Sequence, residues 1–416
     1  MDEALKKQLL GSRRAAAMLR LCTTAQKDEA LHRIGDAVLQ HADEILAANA
    51  QDMTAARDNG MNPIMLDRLL LTKQRLEGIV AGVRVVEQLP DPVGRVLDDK
   101  VMENGLHIRK LSVPFGVIAM IYESRPNVTV DCAALCLKSG NCAVLRSGRD
   151  AAHTCEVITG VMRDAVAEAG LDRDCIQYIS DTSRKTAEEL MRAKGLVDLL
   201  IPRGGAGLIQ TVVNTATVPV IETGTGNCHI YVDKAADLDM AVEIVYNAKT
   251  SRPSVCNAAE SLVVHRDVAA RFLPMVQARL NEKHVILYGC PEAVAILPGI
   301  EQATQQDFYT EYLDYKMSVK VVGSVKEAVE FINEHSTSHS ECIVTQDETA
   351  AEYFLKAVDS AAVYHNASTR FTDGGEFGLG AEIGISTGKL HARGPMGLDS
   401  LTTTKFVVDG QGQTRG

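Results

Sequence analysis

The 416-residue chain has no tryptophan and only eight phenylalanines. A core without large aromatic rings has to be filled by Ala, Val, Ile and Leu, and with 32 glycines this suits packed α/β layers better than an aromatic-rich sandwich. No run approaches the length of a membrane span, and the N-terminal Met-Asp-Glu-Ala-Leu-Lys-Lys lacks a basic stretch followed by an apolar one, so neither a span nor a leader is expected. Positive charge is also in deficit: 43 Lys and Arg against 54 Asp and Glu give a net charge of −11. That argues against non-specific nucleic-acid binding and confines any phosphate site to a local basic pocket. The ten cysteines contain no C-x-x-C pair. Cys132 and Cys136 would share a helix face, but no nearby His/Cys pair completes a zinc site, and no metal is expected. Scattered cysteines of this kind suit a reducing cytoplasm.

The length implies two or three lobes. Residues 2–58 carry helical periodicity, broken near Cys22, where Thr23 and Gln26 could form a capping box. Around 90–114 the texture turns to Pro, Gly and alternating residues, which predicts an exposed ribbon. From 113 to 222 short apolar runs at 117–122, 143–146, 175–179, 196–201 and 218–221 alternate with helical segments at 151–169 and 183–194. Near-continuous apolar strands with helices between them predict a doubly wound parallel sheet, with its ligand at the C-terminal strand ends. The pattern returns with strands at 319–322, 342–345 and 361–364 and a helix at 325–335, a second α/β lobe. The β-prone segment 401–408 is expected to pair with a ribbon, in the same subunit or a partner.

The richest stretch is 250–260, Thr-Ser-Arg-Pro-Ser-Val-Cys-Asn-Ala-Ala-Glu, which sets Cys256 after a proline-stiffened polar turn and just before an apolar β-type run. A thiol at such a junction stays reachable while backbone N–H groups point at it, an environment that favours the thiolate, and Cys256 reads as a nucleophile. Arg203-Gly204-Gly205-Ala206-Gly207 follows one predicted strand and opens a helix; it reads either as a turn whose N–H groups approach a pyrophosphate or as an ordinary tight connection. Arg146, Ser147, Gly148 and Arg149 end another strand. Two guanidiniums there suit a ribose phosphate and would favour NADP(H) over NAD(H), against the alternative of a solvated loop. Asn127, just past a strand end, could aim its amide at a developing oxyanion or simply cap a helix. Gly384 to Lys389 is one residue short of a phosphate-binding P-loop and lacks the following hydroxyl, so it is not one.

Several longer motifs stand in order along nearly the whole chain: Phe115-Gly-Val-Ile with Tyr122-Glu-Ser-Arg-Pro-Asn127, Ile201-Pro-Arg-Gly-Gly-Ala206, Val220-Ile-Glu-Thr-Gly224, Gly226-Asn-Cys-His229, the Cys256 segment, Tyr364 to Gly375, and Leu390-His-Ala-Arg-Gly-Pro-Met-Gly397. Together they resemble the aldehyde dehydrogenase superfamily, and within it the branch that reduces L-glutamyl 5-phosphate. The resemblance implies an NADP(H)-binding domain from 1–99 and 115–228, including the N-terminal helical arm, and a catalytic domain over 229–386 whose last part could return to the cofactor domain. It also implies an oligomerisation element from 100–114 and 387–416, and hence a homo-oligomer. It places the nucleophile on Cys256 and the oxyanion donor on Asn127, with the Cys256 backbone N–H beside it. Glu222 falls where relatives keep a general base, and Glu311 near the nicotinamide-ribose position, although Tyr312 to Lys316 departs from the usual context there. Arg203, Gly204 and Gly205 join Arg146 to Arg149 as expected cofactor contacts, and Arg125 and Asn257 are expected to touch the substrate. The implied reaction is NADPH-dependent reduction of the acyl phosphate to glutamate 5-semialdehyde and phosphate through a cysteine thioester, in proline biosynthesis, with a separate glutamate kinase supplying the substrate.

Overall fold

The computed structural model describes Met1 to Arg415, apart from the side chain of Ile64; Gly416, the last residue of the expected C-terminal element, lies outside the described residues. Two units share the chain: Met1–Glu222 with Gly378–Gly384 and the residues from Met396 onward, and Thr223–Phe377 with Ile385–Pro395.

The first unit opens on helices α1 (Glu3–Leu19), α2 (Thr24–Gln40) and α3 (Ala42–Asp58), followed by α4 (Pro63–Leu69) and α5 (Lys73–Gln88). The break before α2 is the predicted capping box. Thr23 Oγ1 accepts the Gln26 N–H at 3.3 Å and the Gln26 side chain accepts the Thr23 N–H at 2.9 Å, satisfying two donors that the helix start would leave open. Helix α2 buries Ala30, Leu31, Ile34 and Val38, one face of a 3.6-residue period. Strands β1 (Val96–Val101) and β2 (His107–Pro114) form the predicted ribbon, and β2 pairs antiparallel on its other side with the C-terminal strand Thr402–Asp409 of the same chain.

Next come β3 (Val117–Tyr122), α6 (Pro126–Lys138), β4 (Cys142–Ser147), α7 (Ala152–Glu168), β5 (Ile176–Tyr178), α8 (Arg184–Met191), β6 (Leu199–Arg203) and α9 (Ala206–Thr215). The strands make a parallel sheet in the order β5-β4-β3-β6, and β3 and β4 are buried at every position, as their unbroken apolar runs require. The order reverses beside β3, and the general rule for open α/β sheets puts a ligand at the C-terminal ends of the strands there, β3 and β6. The run at 218–221 is not a fifth strand. It touches the sheet through one bridge, in which the Leu200 N–H donates to Pro219 O at 2.8 Å and the Ile221 N–H to Leu200 O at 3.1 Å. Pro219 has no N–H with which to extend the ladder.

The second unit contains β7 (Cys228–Val232), α10 (Leu238–Thr250), β8 (Ala259–His265), α11 (Arg266–Asn281), β9 (Ile286–Gly289), α12 (Pro291–Ile296), β10 (Glu301–Gln302), β11 (Lys316–Val322), α13 (Val325–His335), β12 (Ser340–Val344), α14 (Glu348–Ala357) and β13 (Ala362–His365). Its seven parallel strands run β10-β9-β11-β8-β7-β12-β13. Successive side chains of a strand face opposite sides: Leu262 and Val264 of β8 pack with Phe272 in one core, while Val263 packs with Tyr231 and Phe354 in another. A sheet covered on both faces is what the second apolar pattern predicts. Among the described residues no helix is long and apolar enough to cross a membrane.

Candidate active site

In the first unit, the expected residues collect at the ends of β3, β4 and β6. The turn after β3 carries Ser124 at φ 22°, in the left-handed region that side chains avoid. Its buried hydroxyl donates to Asp150 Oδ2 at 3.2 Å, one contact that holds the strained turn. Arg125 is the N-cap of α6 and Pro126 its first residue, where a missing N–H removes nothing. Asn127 is therefore not the helix cap. It sits in the first turn, with Nδ2 donating to Asp131 Oδ2 at 3.0 Å one turn later. Burial pushes the Asp131 carboxyl up to about 6, opposed by the Asn127 hydrogen bond and by the charge of Arg203. Asp131 was not among the expected site residues; its signal in the sequence is the i, i+4 spacing from Asn127.

Arg146 and Arg149 separate in role. Arg146 is buried and its Nη2 donates to Ser183 O at 2.8 Å; burial makes its guanidinium easier to deprotonate, against the pull of Asp181. Ser147 is buried too, bonded to the Tyr178 hydroxyl at 2.7 Å and to Gly148 O at 3.0 Å. Arg149 is exposed at the strand end and, among the described residues, its side chain has no hydrogen-bond or ion-pair partner. Arg203 ends β6, and Gly204 and Gly205 are exposed just before α9. The Gly205 N–H, however, already donates to Glu123 Oε2 at 2.8 Å, and a Cβ on Gly204 would stand 2.6 Å from the same oxygen. A carboxylate of the chain itself thus occupies the helix start at which a pyrophosphate was expected. Glu222, half-buried, ends this part of the unit.

In the second unit, Cys256 lies half-buried on the turn between α10 and β8. Both ends of that turn are fastened. Lys249 near the end of α10 meets Glu260 near the start of β8 at 2.5 Å, both fully out of solvent, and Glu260 also accepts the Leu313 N–H at 3.2 Å. Burial raises the carboxyl and lowers the ammonium, and the attraction between the two opposes both shifts. The carbonyl of Cys256 accepts the buried Cys228 thiol at 3.2 Å. Gly226 packs directly on that carbonyl and donates its N–H to Glu311 Oε1 at 2.7 Å, so Glu311 braces the loop beneath Cys256. Asn257 does not present a free amide to a substrate. Its Nδ2 donates to Thr372 O at 3.0 Å and Arg370 O at 3.3 Å, its Oδ1 accepts from Arg370 Nη1, and its carbonyl accepts Thr369 Oγ1 at 2.7 Å. Every polar group of that side chain serves the turn. The roles of Glu123, Gly226, Cys228 and Arg370 escaped the sequence reading because each acts on a residue far along the chain, from 28 positions for Cys228 to 113 for Arg370.

Among the described residues no group of three or more His, Cys, Asp or Glu could hold a metal ion. Cys132 and Cys136 are buried on α6, and burial pushes the Cys136 thiol up to about 12.

Residues 2–314 match the family model of the aldehyde dehydrogenase family. The gamma-glutamyl phosphate reductase of Streptococcus suis is 55% identical over 399 residues, covering 96% of each chain, and that of Thermobifida fusca is 53% identical over 415 residues, covering 100% of this chain and 99% of its own. The crystal structure of the Thermotoga maritima gamma-glutamyl phosphate reductase superposes with a TM-score of 0.97 at 46% identity, over 100% of both chains. The chain belongs to the aldehyde dehydrogenase family and stands within it among the gamma-glutamyl phosphate reductases.

Proposed function

We propose that this chain reduces L-glutamyl 5-phosphate to L-glutamate 5-semialdehyde and phosphate, the second step from glutamate towards proline. The observation that carries the reading is identity above one half, along essentially the full length, to proteins named for that reaction. In this reading the Cys256 thiolate attacks the acyl carbon and phosphate leaves, giving a thioester, which accepts hydride more readily than a carboxylate does. Aldehyde dehydrogenases use nicotinamide cofactors, and NADPH when bound supplies the hydride. Asn127 is the proposed donor to the thiohemiacetal oxyanion, and Asp131 fixes its amide by taking one of its two N–H bonds. Glu222 has no deacylating water to activate in an enzyme that releases aldehyde. Arg125 is left as a substrate contact, and Glu311 as a ribose contact only if it gives up Gly226.

The residues at the end of β4 suit a phosphorylated cofactor. Arg149 offers a 2′-phosphate an exposed donor fork that has no partner among the described residues, while Arg146 and Ser147 hold the strand end in shape. Replacing Arg149 with Glu is expected to weaken NADPH binding at least about tenfold more than NADH binding, because a carboxylate repels the 2′-phosphate yet accepts a ribose hydroxyl. Fluorescence titration with both nucleotides measures the split, and an equal loss for both moves the phosphate pocket elsewhere.

The acyl phosphate is labile, so a glutamate kinase reaction must supply it. Ten scattered cysteines with no C-x-x-C pair favour a cytoplasmic setting. The ribbon carries exposed Val96, Leu97, Val101 and Met102, and the strand beside it Phe406 and Val408, an apolar surface that suits assembly into a homo-oligomer.

Running the reaction backwards tests the function. With glutamate 5-semialdehyde and NADP⁺, the Cys256 thioester must be discharged to inorganic phosphate, so NADPH formation is expected to depend on added phosphate, with arsenate able to substitute. Steady turnover in phosphate-free buffer, lost in Glu222→Gln, would make the protein a hydrolysing aldehyde dehydrogenase instead.

A further inference from the structure

The guanidinium of Arg370 is half-buried on the short turn Thr369–Phe371 and clasps the nucleophile turn from both sides. Its Nε donates to Ser251 Oγ at 3.0 Å before Cys256, and its Nη1 donates to Asn257 Oδ1 just after it. Both partners are neutral. Among the described residues Arg370 forms no ion pair with a carboxylate, and the charges that act on it include a second guanidinium, Arg252, together with exposed Asp373 and the thiols of Cys256 and Cys228. Arg252 stands four positions before Cys256, exposed, with no hydrogen-bond or ion-pair partner among the described residues. Burial, and after it the Arg252 charge, makes Arg370 easier to deprotonate than an ordinary arginine.

Two mutually repelling cations at the turn that carries Cys256, one of them partly desolvated and, among the described residues, neither matched by a contacting carboxylate, form an unfavourable arrangement that a dianion would relieve. Tetrahedral oxygens meet a guanidinium fork with paired, charge-assisted hydrogen bonds.

We propose that Arg370 and Arg252 form the subsite for the phosphoryl group of the acyl phosphate. This rests on the reading of the chain as an acyl-phosphate reductase. As the Cys256 sulfur bonds to the acyl carbon, the bond from that carbon to the bridging oxygen breaks, and its electron pair leaves on the phosphate. Nothing is oxidised or reduced in this step; the phosphate gains negative charge until it takes a proton from water. The two guanidiniums hold the phosphoryl group before attack and stabilise the charge that develops on it. The α-carboxylate of the substrate has the same anionic chemistry but lies at the far end of the glutamyl chain from the attacked carbon, whereas Arg370 touches residues on either side of the attacking cysteine.

The test is the reverse reaction, with phosphate and glutamate 5-semialdehyde varied separately for the wild type, Arg370→Gln, Arg370→Lys and Arg252→Gln. Loss of a charge-assisted contact predicts a KM for phosphate raised about 10- to 100-fold in Arg370→Gln, partial recovery in Arg370→Lys, and a smaller rise in Arg252→Gln, with the KM for semialdehyde within about twofold. Inorganic phosphate is also expected to slow iodoacetamide alkylation of Cys256 in the wild type and much less in Arg252→Gln, whose exposed and unbonded side chain makes misfolding no explanation. A wild type indifferent to phosphate overturns the acyl-phosphate reading and this subsite with it. A phosphate-dependent wild type whose phosphate KM is unchanged in Arg252→Gln and Arg370→Lys overturns the subsite alone, as does a rise confined to the semialdehyde KM, which would mark an α-carboxylate site.

Discussion

Cys256→Ala is expected to lower turnover by roughly 10⁴-fold or more, the scale of losing a covalent nucleophile, while thermal stability and NADPH affinity stay close to those of the wild type. The fold should tolerate the change because the side chain is half-buried on a turn and takes no part in either apolar core of its unit. No other thiol is placed to take over. Eight of the remaining nine cysteines are buried, and burial drives those of Cys136 and Cys342 up to about 12 and that of Cys155 to about 11. Cys22 is partly exposed, but burial also raises its thiol above the ordinary value. Steady-state rates, a melting curve and alkylation stoichiometry should therefore change in a single pattern: activity and the one fast-labelling thiol disappear together. A variant that keeps more than a few per cent of activity removes Cys256 from the mechanism.

Gly226→Ala should also cut turnover sharply, by a smaller factor and without touching a reacting atom. A Cβ at this position would lie 1.5 Å from the carbonyl oxygen of Cys256, 2.3 Å from its carbonyl carbon and 2.7 Å from its Cα. These are backbone atoms, which cannot swing aside as the end of a flexible side chain can, so the nucleophile's own peptide has to move. A displacement on the order of 1 Å at a reacting group costs about 10²-fold in rate, and overpacking a fitted site costs about 1–3 kcal/mol of stability. The expected result is a kcat reduced about 100-fold or more with a lowered melting temperature. Native kcat in a folded Gly226→Ala protein would show that the position of the Cys256 peptide is not critical.

What could be read in the sequence was whatever depends on near neighbours. The unbroken apolar runs place β3 and β4 almost to the residue, the Thr23 and Gln26 pair marks the start of α2, and the proline-stiffened turn before an apolar run places Cys256 at the mouth of β8. The run at 218–221 was misread because apolar composition does not reveal that Pro219 interrupts the ladder. What holds Asn257 was hidden for a different reason. Its position beside the nucleophile suggested substrate contact, whereas its amide is consumed by Arg370 and Thr372, 113 and 115 positions away. Gly204 and Gly205 were legible as a βα turn but not as one already occupied, because Glu123 reaches Gly205 across 82 positions.

The fastening of the Cys256 turn also bears on when the protein becomes chemically competent. Cys228 reaches the Cys256 carbonyl from 28 positions upstream, and Arg370 and Thr372 grip Asn257 from the opposite direction, well over a hundred positions downstream. A growing chain that has already emitted Cys256 therefore carries an ordinary thiol on an unsupported loop, and its environment is completed only after the segment around Thr372 has been synthesised and has docked. Whatever reactivity that environment confers is in this sense a late product of folding. A peptide copied from residues 250–260 should for the same reason behave as a plain cysteine peptide, since little of what distinguishes this sulfur is local to it.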